Sequence, residues 1–531
     1  MQFAMAPRPR DEIELIPTTL GDLIAENHPL RMLDELLGEL NWSPFNQRYA
    51  IEDRGRPPIA PRILASVWVY AHMRKIRSSR QLEHQLRTNV EFMWLAHGHQ
   101  IDHSTLSAFR RENKGALKDV NRQLIARAKA LGVIKLAELY IDGTKIKANA
   151  NRSRMMTAAK ATKLLEFVEA QIDEYLEATE VADAHDDLFD GEVHGERLPE
   201  HLATLQQRKA QLEAIVKTCQ AADAVRKTQG LDPAKNPFQL PMTDPDSRIM
   251  PNKEGGYAPN YVPVVSVEGE YGLIVSTEII SSPNEQDCVV SMVDNLEADF
   301  DVIVDTVCAD AAFCTGYNID QLEENRGKNF LSPHRTSEQV VENPAIREDP
   351  TKPVDESQWT KLPINPSTKR FAPAAFVFDA ELDKYFCPMG KPLHAAGRET
   401  RTQSNGQKVE SKTYAAESCA GCPALALCRV KDNSKRPRTI RRDQYVSIRE
   451  RHREKMSREE SKQAYTKRFS PGERIFGQLK EHFGLRRFQS RGQDSVESEF
   501  GLGQLAHNLL RMTRIEPFIE AVRASRVAKE T

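Results

Sequence analysis

Cysteine and long apolar runs are both scarce in this sequence. Eight cysteines in 531 residues are too few for a disulfide-stapled scaffold, and their sparse use fits a reducing compartment. No apolar run approaches the roughly 20 residues that a transmembrane helix needs. The N-terminus lacks the charged-then-apolar pattern of a secretory signal. The sequence therefore predicts a cytoplasmic protein without a membrane partner.

A phosphate loop of the G-x-x-x-x-G-K-[ST] type is also missing, so neither ATP hydrolysis nor a nucleotide cofactor is expected. The net charge is only −2, but it is unevenly distributed. Residues 429–491 contain twenty basic and eight acidic residues, a stripe that suits a polyanion such as DNA. Residues 166–200 are strongly acidic, and we expect that surface to repel DNA.

Three carboxylates stand out by position. Asp142 lies inside an alternating, β-branched segment, Asp310 ends an apolar run, and Glu473 opens a helical segment. Phosphodiester cleavage needs charge neutralised on both the attacking and the leaving oxygen, which two divalent ions about 3.5–4 Å apart achieve. Mg²⁺ prefers oxygen ligands. The sequence therefore predicts that these acids bind two Mg²⁺ ions in a catalytic site.

Each acid is weak evidence by itself. An aspartate near a strand end commonly caps the strand or faces water, and a glutamate in a first helical turn commonly complements the helix dipole. Asp301 and Asp305 also stand near Asp310 in the sequence and compete with it for the same role.

A second candidate metal site is formed by cysteines. Cys387, Cys419, Cys422 and Cys428 follow the spacing C-x(31)-C-x(2)-C-x(5)-C, and two residues between thiolates allow both to reach one tetrahedral ion. We interpret them as a structural zinc site, with His394 as an alternative ligand. The surrounding region has few apolar residues for a core of its own. The other thiols are predicted to be ordinary buried cysteines: Cys219, Cys288, Cys308 and Cys314.

Hydrophobic periodicity predicts a mixed α/β protein with a helical N-terminal part. A DNA-recognition domain and a bundle that only packs or oligomerises fit that part equally well. The last strand is predicted at 328–332, and 336–373 is predicted to be an irregular connection. The predicted domains are 1–134 (helical, DNA-binding), 135–156 (first part of the core), 157–235 (acidic helical hairpin), 236–372 (core continued), 373–440 (cysteine-rich, with zinc) and 441–531 (helical, carrying Glu473).

Several stretches together resemble one family, the DDE transposases of the bacterial insertion-sequence type, including a branch with an inserted cysteine cluster. The likeness covers most of the chain. It is carried by 140–149 (Tyr-Ile-Asp-Gly-Thr-Lys-Ile-Lys-Ala-Asn), 309–313 (Ala-Asp-Ala-Ala-Phe), 473–480 (Glu-Arg-Ile-Phe-Gly-Gln-Leu-Lys), Phe488, 491–492 (Arg-Gly), 506–509 (Ala-His-Asn-Leu), 56–58 (Arg-Pro-Pro) and 103–110 (His-Ser-Thr-Leu-Ser-Ala-Phe-Arg).

The resemblance implies a ribonuclease-H-like catalytic core with a mixed sheet, interrupted by the helical hairpin and by the cysteine-rich zinc insertion. It implies that Asp142 bridges two Mg²⁺ ions, with Mn²⁺ as a substitute, while Asp310 binds one ion and Glu473 the other. It also implies double-stranded DNA as partner, at the element ends and at the target, a homodimer on paired ends, and a place at the bacterial nucleoid.

The family's tyrosine-arginine-glutamate-lysine signature maps onto Tyr465, Arg468, Glu473 and Lys480, although the gap from Arg468 to Glu473 is one residue longer than in the commoner form. An aromatic and basic stretch follows, of a kind that nucleic-acid surfaces often show. The predicted DNA-binding residues are Lys480, Arg468, Tyr465, Arg486, Arg487, Arg491, Arg110 and Arg111.

These observations predict a transposase that binds the terminal inverted repeats of its element, cleaves the DNA at the ends and joins the freed 3′-hydroxyl to target DNA. Two alternatives stay open: a catalytically inactive DNA-binding protein of the same fold, and a structure-specific DNA nuclease. The acidic hairpin suggests a further hypothesis, in which it covers the basic C-terminal region or a second subunit. A solvated spacer is its simpler interpretation.

Overall fold

The computed structural model describes residues 19–46, 57–152, 154–186, 198–228, 230–252, 255–282, 285–334, 343–403, 407–429, 437–467 and 472–530. Arg56 and Arg468 lie outside these residues, and so does the side chain of Glu473. Among the described helices, none combines the length and the apolar character that crossing a membrane requires.

Sixteen α-helices lie within the described residues. They are α1 (Pro29–Gly38), α2 (Pro61–Met73), α3 (Ser79–Thr88), α4 (Val90–Leu95), α5 (His103–Glu112), α6 (Lys114–Ala130), α7 (Ala158–Asp186), α8 (Leu198–Thr228), α9 (Val289–Phe300), α10 (Gly316–Ile319), α11 (Leu425–Cys428), α12 (Val446–Ser457), α13 (Glu459–Thr466), α14 (Gly472–Gly477), α15 (Gln493–Met512) and α16 (Glu516–Glu530).

The strands alternate with these helices along the chain. They are β1 (Glu138–Gly143), β2 (Ile146–Lys147), β3 (Met155–Met156), β4 (Leu240–Pro241), β5 (Arg248–Pro251), β6 (Tyr257–Glu268), β7 (Ile274–Ile280), β8 (Thr306–Ala309), β9 (Asn329–Leu331), β10 (Val377–Asp379), β11 (Lys384–Phe386), β12 (Pro392–Thr402), β13 (Lys408–Ala416) and β14 (Thr439–Asp443).

The chain divides into two compact units. The first contains Met1–Leu136, Asp142–Pro283 and Ser470–Thr531, and the second contains Ala137–Ile141 and Asn284–Phe469. Strand β1 belongs to both, because the boundary falls between Ile141 and Asp142.

Helices make up the N-terminal part of the first unit, as the sequence predicts. Local chemistry sets where they begin: the Asp102 carboxylate accepts the backbone N–H of Ser104 at 2.8 Å and of Thr105 at 2.9 Å, which caps α5. Helix α15 packs against α2, α5 and α6. Trp68 and Phe109 are fully buried in this part of the unit. Helix α15 and the N-terminal helices therefore share one core.

Antiparallel strands complete the first unit. Strands β6 and β7 form a hairpin, with Val262 opposite Ile280 and Val265 opposite Thr277. Strands β2 and β5 also pair with β6 in antiparallel register. The hairpin turn is fixed by the Glu268 carboxylate, which accepts the backbone N–H of Tyr271 at 2.9 Å.

The two long amphipathic helices predicted within 157–235 are α7 and α8, which pack against each other. Strand β3 precedes α7 and β4 follows α8, and these two short strands pair in antiparallel register with Met156 opposite Leu240. Val168, Leu212 and Ile215 belong to a core of their own. The connection at 187–197, which carries part of the acidic surface, lies outside the described residues.

The second unit contains parallel strands. Strand β1 pairs with β8, with Ile141 beside Ala309, and β8 pairs with β9, with Cys308 beside Leu331. Because the described strands include both parallel and antiparallel pairs between helices, the prediction of a mixed α/β fold is confirmed.

Two predictions about the second unit are wrong. Residues 328–332 do not hold the last strand, since β10 to β14 follow as an antiparallel sheet in that order. The cysteine-rich region also has its own core, to which 336–373, predicted as an irregular connection, contributes. Its apolar residues are scattered singly along the sequence, so periodicity does not reveal them. The core consists of Ala345, Val354, Leu362, Phe371, Ala375, Phe376, Tyr385, Leu393, Tyr414, Ala416, Ala424 and Ile440.

Candidate active site

Asp310 directly follows the buried end of β8 in the second unit. The register of this strand is fixed up to Ala309, which lies beside Ile141 of the parallel strand β1. The Asp310 side chain is half-buried, and its Oδ1 accepts the backbone N–H of Ala312 at 2.5 Å. The backbone carbonyl of Asp310 accepts the hydroxyl of Ser332 at 2.7 Å. This carboxylate is therefore held on a hydrogen-bonded turn at the carboxyl end of a strand.

Asp301 and Asp305, the two competitors of Asp310, occupy other positions. Asp301 ends α9 in the left-handed conformation, with φ of 49°. Asp305 precedes β8, and its backbone N–H donates to the carbonyl of Ala137 at 2.9 Å. Both side chains are exposed. At about 3.3 Å per residue along the strand, Asp305 lies more than 10 Å from Asp310. Of the three acids, only Asp310 stands at the carboxyl end.

Lys480 contacts the segment that directly follows Asp142 in the first unit. Lys480 donates a hydrogen bond from Nζ to Oγ1 of Thr144 at 2.6 Å, and Thr144 is two residues beyond Asp142. The Thr144 side chain is buried, and its backbone N–H donates to the carbonyl of Pro263 at 3.0 Å. Asp142 itself is half-buried. The segment that carries Lys480 is therefore tied to the strand end that carries Asp142.

Glu473 lies in the first turn of α14, as predicted. The helix does not continue in α geometry to Lys480, because a π-helical segment, Gln478–His482, follows it. Glu473 and Lys480 are seven residues apart, so a continuous α-helix would place them on one face two turns apart. The π-helical segment changes this spacing. Ile475 and Leu479 are fully buried, and they anchor this segment to the core of the unit.

The remaining predicted DNA-binding residues lie in different settings. Tyr465 is a half-buried residue of α13, while Arg468 lies outside the described residues. Arg486 is exposed and forms an ion pair with Glu481. Arg487 and Arg491 are exposed and line one cleft.

Arg110 and Arg111 differ sharply in exposure although they are neighbours. Arg110 is only 6% exposed; it donates to the carbonyl of Arg77 at 2.7 Å and lies over the ring of Trp68, 5.0 Å from its centroid. Its guanidinium therefore packs inside the helical part of the unit, not on the exposed surface where Arg111 lies. Arg111 is exposed and donates to the carbonyl of Ser107 at 3.2 Å.

The four predicted zinc ligands line one cavity of about 30 Å³ in the second unit. Two backbone N–H groups point at its sulfurs: that of Lys391 donates to Cys387 Sγ and that of Arg438 to Cys419 Sγ, both at 3.4 Å. Burial raises the pKa of Cys387, and it raises the pKa of Cys428 to about 11. Without an ion these thiols would therefore keep their protons at neutral pH. His394, the alternative ligand, is not among the residues lining this cavity.

A cysteine and two histidines form another group in the second unit, which the sequence did not suggest. The ligand atoms of Cys314, His334 and His452 lie within 4.8 Å of one another. In His452, however, Nδ1 faces the Glu323 carboxylate at 2.9 Å and Nε2 faces the carbonyl of Ser332 at 2.8 Å. Both ring nitrogens therefore face hydrogen-bond acceptors within the protein. We interpret this group as structural. Cys314 is half-buried rather than fully buried as predicted.

Three candidate functional residues of the first unit were not predicted from the sequence. Thr144 lies inside the segment 140–149 but carries no charge, so no feature of the sequence marks it as a functional residue. Arg152 and Arg154, which line the cleft with Arg487 and Arg491, follow that segment directly. The positive charge of these two arginines, close in sequence to residues 140–149, could have indicated a DNA-binding role.

Comparison with known families gives two matches. Residues 18–112 match a family described as "Transposase domain (DUF772)", and residues 386–513 match a family described as "Transposase DDE domain". The second match includes Glu473, Lys480 and all four candidate zinc ligands. Asp142 and Asp310 lie outside both matched ranges.

No curated protein matches the chain. Among solved structures, a cryo-EM structure of a piggyBac transposase synaptic complex with hairpin DNA is similar at 10% sequence identity. The match covers 94% of this chain and 76% of that one, with a TM-score of 0.32. A score this low supports no structural argument.

Proposed function

We propose that this chain, whose two matched domains indicate a DDE-type insertion-sequence transposase, cleaves DNA at the ends of its mobile element and joins them to target DNA. A DDE domain implies a metal-dependent enzyme that acts on DNA. The finer proposal is that Asp142, Asp310 and Glu473 form the catalytic triad in a ribonuclease-H-like core.

The hydrogen bond between Lys480 and Thr144, at 2.6 Å, is the observation that carries this proposal. It ties the segment that follows Glu473 to the strand end that bears Asp142. The parallel register of Ile141 with Ala309 supports Asp310 as the third member, because each of these two residues is followed directly by an acid.

Carboxylate oxygens from three separate elements suit Mg²⁺, which keeps several waters and needs few protein ligands. When bound, two such ions would neutralise charge on the attacking and the leaving oxygens of the phosphodiester. The proposed ligands are Asp142 for both ions, Asp310 for one and Glu473 for the other, with Mn²⁺ as a substitute.

The residues of the chain have roles that do not depend on the ions. Strand β1 and the turn after Asp310 hold two carboxylates on rigid elements. The Lys480 ammonium, kept in position by Thr144, binds a phosphate oxygen and orients the strand for attack. No covalent protein intermediate is needed, since water and then the 3′-hydroxyl serve as the nucleophiles.

A structural zinc ion on Cys387, Cys419, Cys422 and Cys428 is also part of the proposal. Four sulfurs are a donor set that zinc favours. Backbone N–H groups that point at Cys387 and Cys419 would stabilise the thiolate charge that an ion requires. Binding would release protons from these buried thiols.

The partner proposed for the enzyme is double-stranded DNA, at the element ends and at the target, bound by a homodimer in the cytoplasm. The proposed test uses the purified chain, Mg²⁺, a labelled DNA fragment that carries the sequences flanking its gene, and a plasmid as target. The wild-type chain is expected to cut the labelled fragment and to link it to the plasmid.

Asp142→Asn, Asp310→Asn and Glu473→Gln should each abolish cutting and joining while DNA binding is kept. Asp301→Asn and Asp305→Asn are matched controls that should retain activity. If Asp310→Asn keeps its activity while Asp301→Asn or Asp305→Asn loses it, Asp310 is not a member of the triad. Cutting without joining would identify a nuclease, and binding without cutting would identify an inactive DNA-binding protein.

A further inference from the structure

Four arginines of the first unit converge on one cleft. The cleft has a volume of about 500 Å³, and its guanidinium groups come from Arg152, Arg154, Arg487 and Arg491. All four side chains are exposed. The other described residues that line it are neutral: Asn149, Ala150, Asn151, Thr243, Ala258 and Pro259. The cleft therefore concentrates positive charge without a lining carboxylate to cancel it.

The cleft is built on a rigid backbone frame. The N–H of Phe488 donates to the carbonyl of Lys147 at 2.9 Å, and the Asn149 side chain donates to the carbonyl of Gln489 at 2.8 Å. Arg491 donates from Nε to the carbonyl of Asn149 at 3.0 Å, which orients its guanidinium. The two segments that supply the arginines are thus joined directly.

A second set of contacts secures the floor of the cleft. The N–H of Met242 donates to the carbonyl of Arg154 at 2.9 Å, and that of Ala148 donates to the carbonyl of Pro259 at 3.0 Å. The N–H of Gly492 donates to the buried carboxylate of Asp244 at 3.0 Å. The Oδ1 atom of Asp244 also accepts the hydroxyl of Tyr261 at 2.7 Å, so this oxygen is used by the frame. The arginines therefore stay available to an outside anion.

The position of the cleft relative to Asp142 follows from the strand that links them. Residues 144–148 run antiparallel to β6, with Ile146 opposite Tyr261 and Lys147 opposite Asn260. Seven residues separate Asp142 from Asn149, so at about 3.3 Å per residue the two lie at most about 23 Å apart. Successive phosphates of one DNA strand advance about 3.4 Å along the helix axis. The separation therefore spans about seven nucleotides.

We propose that this arginine cleft binds the phosphodiester backbone of the DNA substrate within about seven nucleotides of the phosphate that is cut. The inference rests on the proposed function, since it takes the scissile phosphate to lie at Asp142. It assigns Arg152 and Arg154 to DNA binding and gives Arg487 and Arg491 a common site with them. Guanidinium groups suit this role because they bind phosphate oxygens in a bidentate manner.

The test measures DNA affinity across a range of salt concentrations without Mg²⁺, so that binding is separated from cleavage. Each phosphate contact that is lost reduces the steepness of log K against log salt by about 0.9. The variant Arg152→Gln/Arg154→Gln should therefore lower the slope by roughly 1 to 2, and should weaken binding at least about tenfold at 0.15 M salt. Its melting temperature should match that of the wild type.

A control variant with the same change in charge is Arg514→Gln/Arg523→Gln. These two arginines are exposed residues of the same unit and lie outside both the N-terminal domain and the cleft. The slope of the control should equal that of the wild type. Phosphate ethylation within about seven nucleotides of the cut should interfere with binding of the wild type, and this interference should disappear only in the cleft variant.

The outcomes separate the two proposals. If the wild type binds DNA but the cleft variant behaves like the control, the inference about the cleft is overturned and the proposed function stands. If the wild type binds no DNA, both fail. Loss of affinity for an RNA duplex but not for DNA in the cleft variant would also overturn the inference.

Discussion

Lys480 donates a hydrogen bond to Thr144 across 336 positions of sequence, from Nζ to Oγ1 at 2.6 Å. Because Thr144 is buried and lies two residues beyond Asp142, the contact fixes a cation beside one of the proposed catalytic acids. The flexible side chain of Lys480 is thus held near one position before DNA binds. Less conformational entropy is therefore lost when it binds a phosphate.

Lys480→Met should lower the rate of DNA cleavage by about 100-fold or more, the usual effect of removing one positioned donor from a charged transition state. Thr144→Val should lower it less, since the ammonium is kept and only its position is lost. Lys209→Met, which removes the ion pair of another lysine with Glu169, serves as the control. Wild-type cleavage rates in Lys480→Met would contradict the role proposed for this lysine.

Arg77 and Glu499 form a buried ion pair between the N-terminal helices and α15. The Glu499 carboxylate also accepts the backbone N–H of Ser490 at 2.7 Å. Glu499→Gln leaves Arg77 buried without a counter-charge and should destabilise the protein by about 3–5 kcal/mol. Glu497→Gln, which breaks the more exposed pair with Lys114, should cost less than about 1 kcal/mol. Thermal unfolding of both variants at pH 7 provides the comparison.

The same pair predicts a pH dependence. Burial by itself would raise the pKa of Glu499, but the charges of Arg77 and Arg110 and the hydrogen bonds it accepts lower that pKa below its usual value. A carboxyl with a lowered folded-state pKa contributes its full stability above the unfolded-state value of about 4.3 and loses it at lower pH. The difference in melting temperature between wild type and Glu499→Gln should therefore be constant from pH 7 to 5 and shrink below about pH 4. A difference that grows on acidification would refute this account.

Zinc content tests the cysteine cluster independently of DNA chemistry. The purified chain should carry one zinc ion per molecule by elemental analysis, and Cys419→Ser or Cys422→Ser should lose most of it. Cys288→Ser is a control, because Cys288 is a buried thiol that donates to the carbonyl of Glu285 and does not line the cavity. Equal zinc content in all of these proteins would rule out the site.

Gly390 should resist substitution. Its φ is +71°, and a Cβ there would lie 1.9 Å from the carbonyl oxygen of Thr351. Gly390→Ala should therefore disturb the turn that carries Cys387 and weaken the hydrogen-exchange protection of backbone amides in the sheet formed by β10 to β14. Gly397→Ala provides a matched control in the same sheet, since a Cβ at Gly397 meets nothing within 4 Å. Equal protection in the two variants would show that the turn tolerates the side chain.

Local patterns explain where sequence reasoning succeeded. The hairpin of β6 and β7 and the capped helix α5 depend on neighbouring residues, which periodicity and capping signals report. The cysteine-rich sheet was missed because its core draws single residues from a long stretch, such as Ala345, Leu393 and Ile440. No short window of sequence contains enough of them to predict a core.

The sequence by itself determined the chemistry available: three acids on separate elements, four thiols in a ligand-like spacing, a basic stripe, and the likeness to transposases that the family matches confirm. Only the tertiary structure decided which of these groups meet. It left Asp310 rather than Asp305 at the carboxyl end of β8, buried Arg110, and brought Arg152 and Arg154 into one cleft with Arg487 and Arg491. The physical reason is that residue types and local periodicity are written in short segments, whereas proximity depends on strand register and packing between segments hundreds of residues apart.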